Sequence, residues 1–298
     1  MDREWLLPFP VNVRLTLAAH ARGPRDPAYR VDEAGGVWRT SLTPEGPATV
    51  RITGKSLEGA TQVRAAAWGP GADWLLGTVP DQLGLYDDIS GFDPSSHPVV
   101  KALITRNPGF RIGRTNRVFE ALVPAILEQK VVSIEAHRAW SFLLRKHGTP
   151  APGPARGMWV FPAPRAWKAI PTWDWHKSGI EAVRARTIMN AAAVANRLED
   201  NPVDIVLQSL PGIGPWTAAE TRQRAVGDPD AVSVGDYNLP KAVGWVLAGR
   251  ESTDDKAMLG LLEPFAGHRH RVARLIEFSG QSPPRRGPRM PVRDYRTF

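Results

Sequence analysis

The chain has 298 residues, a formal net charge of +8 and a pI of about 10.1. Apolar residues make up 42% and charged residues 23%, a balance that supports more than one globular core, while the excess of cations favours a polyanionic partner. The absence of cysteine excludes disulfides, thiolate nucleophiles, thiolate zinc sites and a thiolate-held iron–sulfur cluster.

No apolar run approaches the length that spans a bilayer, so no membrane partner is expected. The opening MDREWLLPFP resembles neither a signal peptide nor an Arg/Ser-rich transit peptide, which points to a cytoplasmic location. Val11, Val13, Leu15 and Leu17 alternate with Asn12, Arg14 and Thr16, which predicts a half-buried strand over 11–19. Residues 28–32, 37–43, 48–53 and 62–67 are further strand candidates, parted by turn signals at 35–36 and 44–47. They predict a small antiparallel sheet with one wet face. Residues 72–76 and 81–86 read as short helices separated by Pro80.

Beyond about residue 92 the pattern turns helical. A helix over 98–105 is followed by a loop carrying Arg106, Arg111 and Arg114 around Gly109 and Gly113. That loop is either a phosphate contact or a solvated basic surface. Val118, Phe119, Leu122, Val123, Ile126 and Leu127 form a helical stripe within 117–129. Pro124 lies inside it, and an interior proline costs on the order of 3 kcal/mol, so a kink or break is expected near Glu120. Ser133 is the expected N-cap of a helix over 134–146. Trp173 and Trp175 have the two-residue spacing of a strand and either line a pocket or fill core. A helix over 183–198 is expected to turn Arg184, Arg186 and Arg197 outward.

Asn201 and Pro202 suit the cap and first turn of a short helix ending near Ser209. The turn Leu210-Pro211-Gly212-Ile213-Gly214 follows, and Pro215 opens another helix through Ala225. Both glycines can take positive φ and admit a second backbone. The amides of Gly212, Gly214 and Trp216 gather at a helix N-terminus, which suits an anion such as phosphate. A β-branched run at 232–234 then leads to Gly235-Asp236. Either Asp236 caps a helix starting at Tyr237, or Asn238 caps it with Pro240 at the second position. Asp255–Leu262 reads as a helix. His268 and His270 have no acidic partner in sequence and do not make a metal site. Residues 281–298 form a basic, Pro-rich tail expected to be disordered.

The hairpin LPGIGPWTA followed by the aspartate of GDY resembles the helix-hairpin-helix DNA glycosylase superfamily, and within it the alkylation-repair, 3-methyladenine DNA glycosylase II branch. The resemblance implies an α+β, mostly α fold. A small antiparallel β-rich domain at 1–92 would precede a two-lobed helical core at 93–280 and the tail at 281–298. It implies a monofunctional DNA glycosylase that flips alkylated purines out of double-stranded DNA and hydrolyses their N-glycosidic bond in base-excision repair. Asp236 matches the catalytic aspartate, which stabilises an oxocarbenium-like transition state and orients water. Trp216 stands where the bifunctional branch has a Schiff-base lysine, so no lyase step is expected, and Lys241 is not read as a nucleophile.

Trp216, Glu220, Trp173, Trp175, Tyr237 and Phe265 are the expected base-pocket residues, with Glu220 standing where relatives have an aromatic. Gly212, Gly214, Gln129, Lys130 and Arg269 are the expected DNA contacts. Residues 126–134, ILEQKVVSI, resemble the loop whose tip enters the duplex. Lys130 replaces an apolar wedge there and serves as plug or phosphate contact. The resemblance also implies a monovalent cation on the backbone carbonyls of Gln208, Leu210 and Ile213, no other cofactor, no iron–sulfur cluster, and a monomer associated with the nucleoid. Two rivals stand beside this reading: a non-catalytic binder of damaged DNA, and a glycosylase for oxidised or deaminated bases.

Overall fold

The computed structural model describes residues 1–201 and 204–284. The expected helix start at Pro202 and residues 285–298 of the tail lie outside the described residues. The chain begins with β1 (Asp2–Leu7), α1 (Val13–Leu17), β2 (Tyr29–Val31), β3 (Val37–Thr43), β4 (Gly46–Leu57) and β5 (Ala60–Trp68). The five strands form one antiparallel sheet in the order β1-β5-β4-β3-β2. Leu57 faces Ala60 across a two-residue turn, Glu58-Gly59, and Gly59 has φ +67, the conformation that tight hairpins demand. Val50 and Ile52 of β4 and Val63 and Ala65 of β5 alternate inward. They pack on Leu17 of α1 and on Leu75 and Leu76 of α2 (Ala72–Gly77). The adjoining α3 (Val79–Gln82) carries Pro80 in its first turn, where the missing N–H costs nothing.

Residues 13–17 form a helix and 18–20 a tighter helical turn, not the strand over 11–19 that alternation predicts. The Asn12 side chain accepts the Leu15 N–H at 3.0 Å, and Val13, Thr16 and Leu17 bury one helical face. The place at the sheet's edge is taken by β1, which sequence reading misses.

The helical part comprises α4 (Pro98–Arg106), α5 (Val118–Leu127) and α6 (Ser133–His147). A two-stranded ribbon, β6 (Thr149–Pro150) with β7 (Trp159–Val160), follows. Then come α7 (Pro164–Ala169), α8 (Thr172–Ser178), α9 (Ala182–Ala193), α10 (Ala195–Asp200), α11 (Asp204–Gln208) and α12 (Pro215–Ala225). Last are α13 (Leu239–Ala248), α14 (Asp255–Leu262) and α15 (Arg269–Ser279). Two separate cores divide them. Leu122, Ile126, Leu143, Ile188 and Ala218 belong to a first lobe built from α5, α6, α9 and α12. Val100, Val243, Met258, Leu262 and Ile276 belong to a second, built from α4, α13, α14 and α15. The chain therefore enters the second lobe, builds the first, and returns to the second between α12 and α13.

Several local expectations are corrected. Helix α5 runs unbroken through Pro124, because all its residues except Glu120 are buried and packing outweighs the lost hydrogen bond. Val132, not Ser133, occupies the cap position of α6. The helix expected over 183–198 divides at Val194. Arg184 is buried, with its Nη1 donating to the Leu127 carbonyl at 2.7 Å; it closes the open C-terminal end of α5. Residues 232–234 form no strand.

Asp87 and Arg271 bind the end of the sheet domain to α15. Their side chains are 0% and 1% exposed. Two bonds join them, one of 3.0 Å between Nη1 and Oδ2, and the Ile112 N–H adds a third donor at 2.9 Å. Asp87→Ala strands the guanidinium in the interior and is expected to cost about 3–5 kcal/mol, read as a lower urea midpoint; an unchanged midpoint would contradict it. His270 carries a second prediction. Burial, then Arg274, Arg224 and Arg271, holds its pKa well below 6.5. The folded state thus binds fewer protons than the unfolded state, and the stability present above about pH 6.5 is lost as pH falls toward the lower folded value. His270→Gln is expected to flatten the fall in urea midpoint between about pH 7 and about pH 5.

Candidate active site at the helix hairpin

Between α11 and α12 the chain makes one tight turn. Leu210 N–H bonds the Leu207 carbonyl at 3.2 Å, and Ile213 N–H bonds that of Leu210 at 3.1 Å. Ile213 is buried in the first lobe, which anchors the turn and leaves Pro211 and Gly212 exposed. Gly212 has φ +90, and a Cβ there would lie 2.3 Å from Thr187 Oγ1, so only glycine fits. Gly214 caps α12 with φ −100 and ψ −178, extended backbone that any residue adopts; the expectation of positive φ holds for Gly212 alone.

Gln129, in the turn after α5, braces this hairpin. Its Nε2 donates to the Gly212 carbonyl and to Thr217 Oγ1, each at 2.9 Å. Gln129 thus ties the turn between α5 and α6 to the hairpin. Next to it Lys130 is exposed at φ +54, a left-handed conformation uncommon for a side chain of its size.

Asp236 sits on the crossing from the first lobe to the second. Its Oδ2 accepts the Trp216 Nε1–H at 3.0 Å. Its Oδ1 accepts the N–H groups of Asn238 at 2.7 Å and Leu239 at 2.8 Å. Helix α13 starts at Leu239 with Pro240 at its second position, which decides between the two geometries left open by sequence. Although Asn238 holds the cap position, it is the Asp236 carboxylate that meets the first amides. Gly235, at φ +91, turns the chain here, and its N–H reaches the Asp255 carboxylate at 3.1 Å. Asp236 and Trp216 are half-buried, and Tyr237 is 71% exposed beside them. The Lys241 ammonium lies 3.5 Å from the centre of the Tyr237 ring.

Trp216, Asp236 and Tyr237 are thus brought together; four other expected site residues are employed elsewhere. Glu220 is neither pocket wall nor solvent-facing. It accepts Arg224 Nη1 at 2.7 Å and the Ser233 hydroxyl at 2.5 Å. Burial pushes its pKa up, but Arg224, the Ser233 hydroxyl and Arg22 outweigh it and hold the carboxyl below its usual range. Trp175 is core, stacked on Trp167 with ring centres 6.0 Å apart. Residues two apart on a helix face opposite ways, so on α8 Trp173 is left exposed. Phe265 is buried in the second lobe against Phe92, with ring centres 6.3 Å apart. Arg269 is committed to Asp230, with Nε at 2.8 Å and Nη2 at 2.5 Å from its oxygens. Sequence reading misses Ser233, Gln223 and Thr217, whose partners are distant or lie across a turn. Among the described residues no group of three or more His, Asp or Glu side chains is placed to hold a metal ion, and no helix is long and apolar enough to cross a membrane.

No family model matches the chain. Over 152 residues, 48% of this chain, it is 30% identical to a probable bifunctional transcriptional activator/DNA repair enzyme AlkA of Mycobacterium tuberculosis. The chain spans 30% of the length of that relative. Among solved structures, a 3-methyladenine DNA glycosylase from Archaeoglobus fulgidus superposes with a TM-score of 0.79 at 18% identity, covering 93% of this chain and 98% of that one. An 8-oxoguanine glycosylase/lyase of Clostridium acetobutylicum, in complex with duplex DNA, superposes at 0.66 with 14% identity, covering 94% and 97%. The chain has the fold of the helix-hairpin-helix DNA glycosylases.

The two hairpin glycines are expected to respond differently to a methyl group. Gly212→Ala meets both left-handed backbone and Thr187 and is expected to lose about 1–3 kcal/mol. Gly214→Ala meets open space and is expected to stay within about 0.5 kcal/mol of wild type. Urea denaturation of the pair checks the contrast; equal losses would contradict the geometry.

Proposed function

We propose that this chain is a monofunctional DNA glycosylase that flips alkylated purines out of duplex DNA and hydrolyses their N-glycosidic bond in base-excision repair. The observation that carries the reading is the Asp236 carboxylate, half-buried on the crossing between two lobes and fixed by three N–H donors. Support comes from the shared fold and from the partial identity to a DNA repair enzyme.

Breaking the glycosidic bond leaves positive charge on the sugar. A carboxylate already held in place stabilises that charge without reorganising, and it can orient the attacking water. A 3- or 7-alkylated purine is cationic before it leaves, so one carboxylate suffices and no general acid is required. The Trp216 indole, tied by its Nε1 to the same carboxylate, offers a π face to a cationic base, worth about 0.5–2 kcal/mol. Tyr237, next in sequence to Asp236, is exposed and free to meet a base or a strand. Gly212 and Gly214 present backbone to a strand phosphate at the start of α12. Lys130, exposed at the neighbouring turn, adds a cation. The carbonyls of Gln208, Leu210 and Ile213 are neutral oxygen donors suited to a monovalent cation, which would rigidify the turn.

Two lysine observations support a reading without a lyase step. The position two beyond Gly214 holds Trp216, and the Lys241 ammonium sits on the Tyr237 ring. A Schiff base needs a free amine at the sugar.

Asp236→Asn keeps the shape and removes the charge. It is expected to slow single-turnover base release from methylated duplex DNA by about 10²- to 10⁴-fold, and borohydride is expected to trap no protein–DNA adduct with the wild type. Equal release by the two proteins would overturn the role of Asp236. Release confined to 8-oxoguanine or hypoxanthine duplexes would overturn the alkylated-purine assignment, and selective binding without release would make the chain a non-catalytic reader of damage.

A further inference from the structure

Residues 228–236, which deliver Asp236, have neither helix nor strand of their own. No backbone ladder sets their register. They run back along α12 instead, held by side chains of that helix, with further bonds from α15 to Pro229 and Asp230 and from Asp255 to Gly235. Arg222 pairs with Asp228, whose Oδ1 accepts the N–H groups of Asp230 at 2.8 Å and Ala231 at 3.1 Å. Gln223 Nε2 donates to the Ala231 carbonyl at 2.8 Å and to Ser233 Oγ at 2.9 Å. Glu220 accepts the Ser233 hydroxyl at 2.5 Å. Trp216 reaches Asp236, whose own N–H returns to the Ser233 carbonyl at 3.2 Å. Trp216, Glu220 and Gln223 recur at the four- and three-residue steps that share one helix face.

The contacts have a fixed direction. Gln223 uses both amide hydrogens, one on each acceptor. Ser233 accepts one of them and has a single proton to give, which goes to Glu220 because a carboxylate only accepts. Arg224 balances the Glu220 charge at 2.7 Å. A slip by one residue along α12 would break every one of these bonds. Gln223 and Ser233 are buried, 6% and 4% exposed, so they act through the segment rather than on a substrate.

We infer that Glu220, Gln223 and Ser233 are positioning residues for Asp236, locking the 228–236 segment in register on α12 so that the carboxylate stands at the Trp216 indole. This rests on the reading of Asp236 as the catalytic carboxylate.

The test measures single-turnover base release together with affinity for an abasic-site duplex, using Ser233→Ala, Glu220→Ala, their double variant, Glu220→Gln and Asp236→Asn. Ser233→Ala and Glu220→Ala are each expected to slow release about 10- to 100-fold, with affinity within about two-fold of wild type. The double variant is expected to be no slower than the slower single, since both remove one bond. Glu220→Gln keeps an oxygen for the Ser233 hydroxyl but loses the charge that balances Arg224, so it is expected to recover part, not all, of the rate lost by Glu220→Ala. Both Glu220 variants uncover Arg224, so Ser233→Ala carries the test if neither folds. Wild-type release by Ser233→Ala with an inactive Asp236→Asn would overturn the inference alone. Rate losses that multiply in the double variant would do the same. Wild-type release by Asp236→Asn would overturn the reading of the site itself.

Discussion

The Asp236 carboxylate is held from both sides of a lobe boundary. Trp216 reaches it from α12 in the first lobe, and the amides of Asn238 and Leu239 meet it at the start of α13 in the second. Hydrogen bonds to an ionised carboxylate are short and strong, and three of them leave the group little freedom. Its position therefore depends on how the two lobes sit together. The buried Asp87–Arg271 pair fixes the second lobe to the sheet domain, and Gln129 fixes the turn after α5 to the hairpin. A carboxylate so restrained needs little rearrangement when positive charge appears next to it, which is the condition for electrostatic catalysis.

Where the sheet domain and α12 meet, the interior is charged rather than greasy. Arg22 reaches Glu128 at 3.2 Å, Arg224 pairs with Glu220, and Arg224 Nε also donates to the Ala19 carbonyl at 3.0 Å. Burial, only partly offset by Arg39 and Arg117, pushes the Glu120 carboxyl up. Such pairs add little net stability over apolar packing, yet removing one partner strands the other. They also run continuously into the contacts that register the segment carrying Asp236. The end of α12 that meets Asp236 and its buried end are thus parts of one polar system.

Much of the fold is legible in the sequence because it rests on local periodicity. Strand β3 spans the residues its pattern predicts, and the two glycines and Pro215 mark the hairpin. Asp236 and Trp216 are singled out by resemblance, and a hydrogen bond joins them. The failures share a cause. Alternation over 11–17 also fits a helix once Asn12 supplies a cap, and Pro124 is tolerated because its helix is buried almost all round. Arg184 and Arg269 look like surface charges because their partners, Leu127 and Asp230, lie 57 and 39 residues away, and the Ser233 hydroxyl that joins Arg224 on Glu220 lies 13 residues on. Trp173 and Trp175 look equivalent until a helix turns one out and one in. Period and capping are local properties; the pairing of buried charges is set only by tertiary structure.

In the proposed reaction a negative charge at Asp236 awaits a positive one on the sugar. The most direct measurement compares the affinity of wild type and Asp236→Asn for duplexes carrying a cationic pyrrolidine or a neutral tetrahydrofuran abasic analogue. Wild type is expected to prefer the cationic duplex by about ten-fold or more, as transition-state mimics are preferred, and Asp236→Asn to lose that preference. Equal wild-type affinities, or a preference that survives the substitution, would contradict the account.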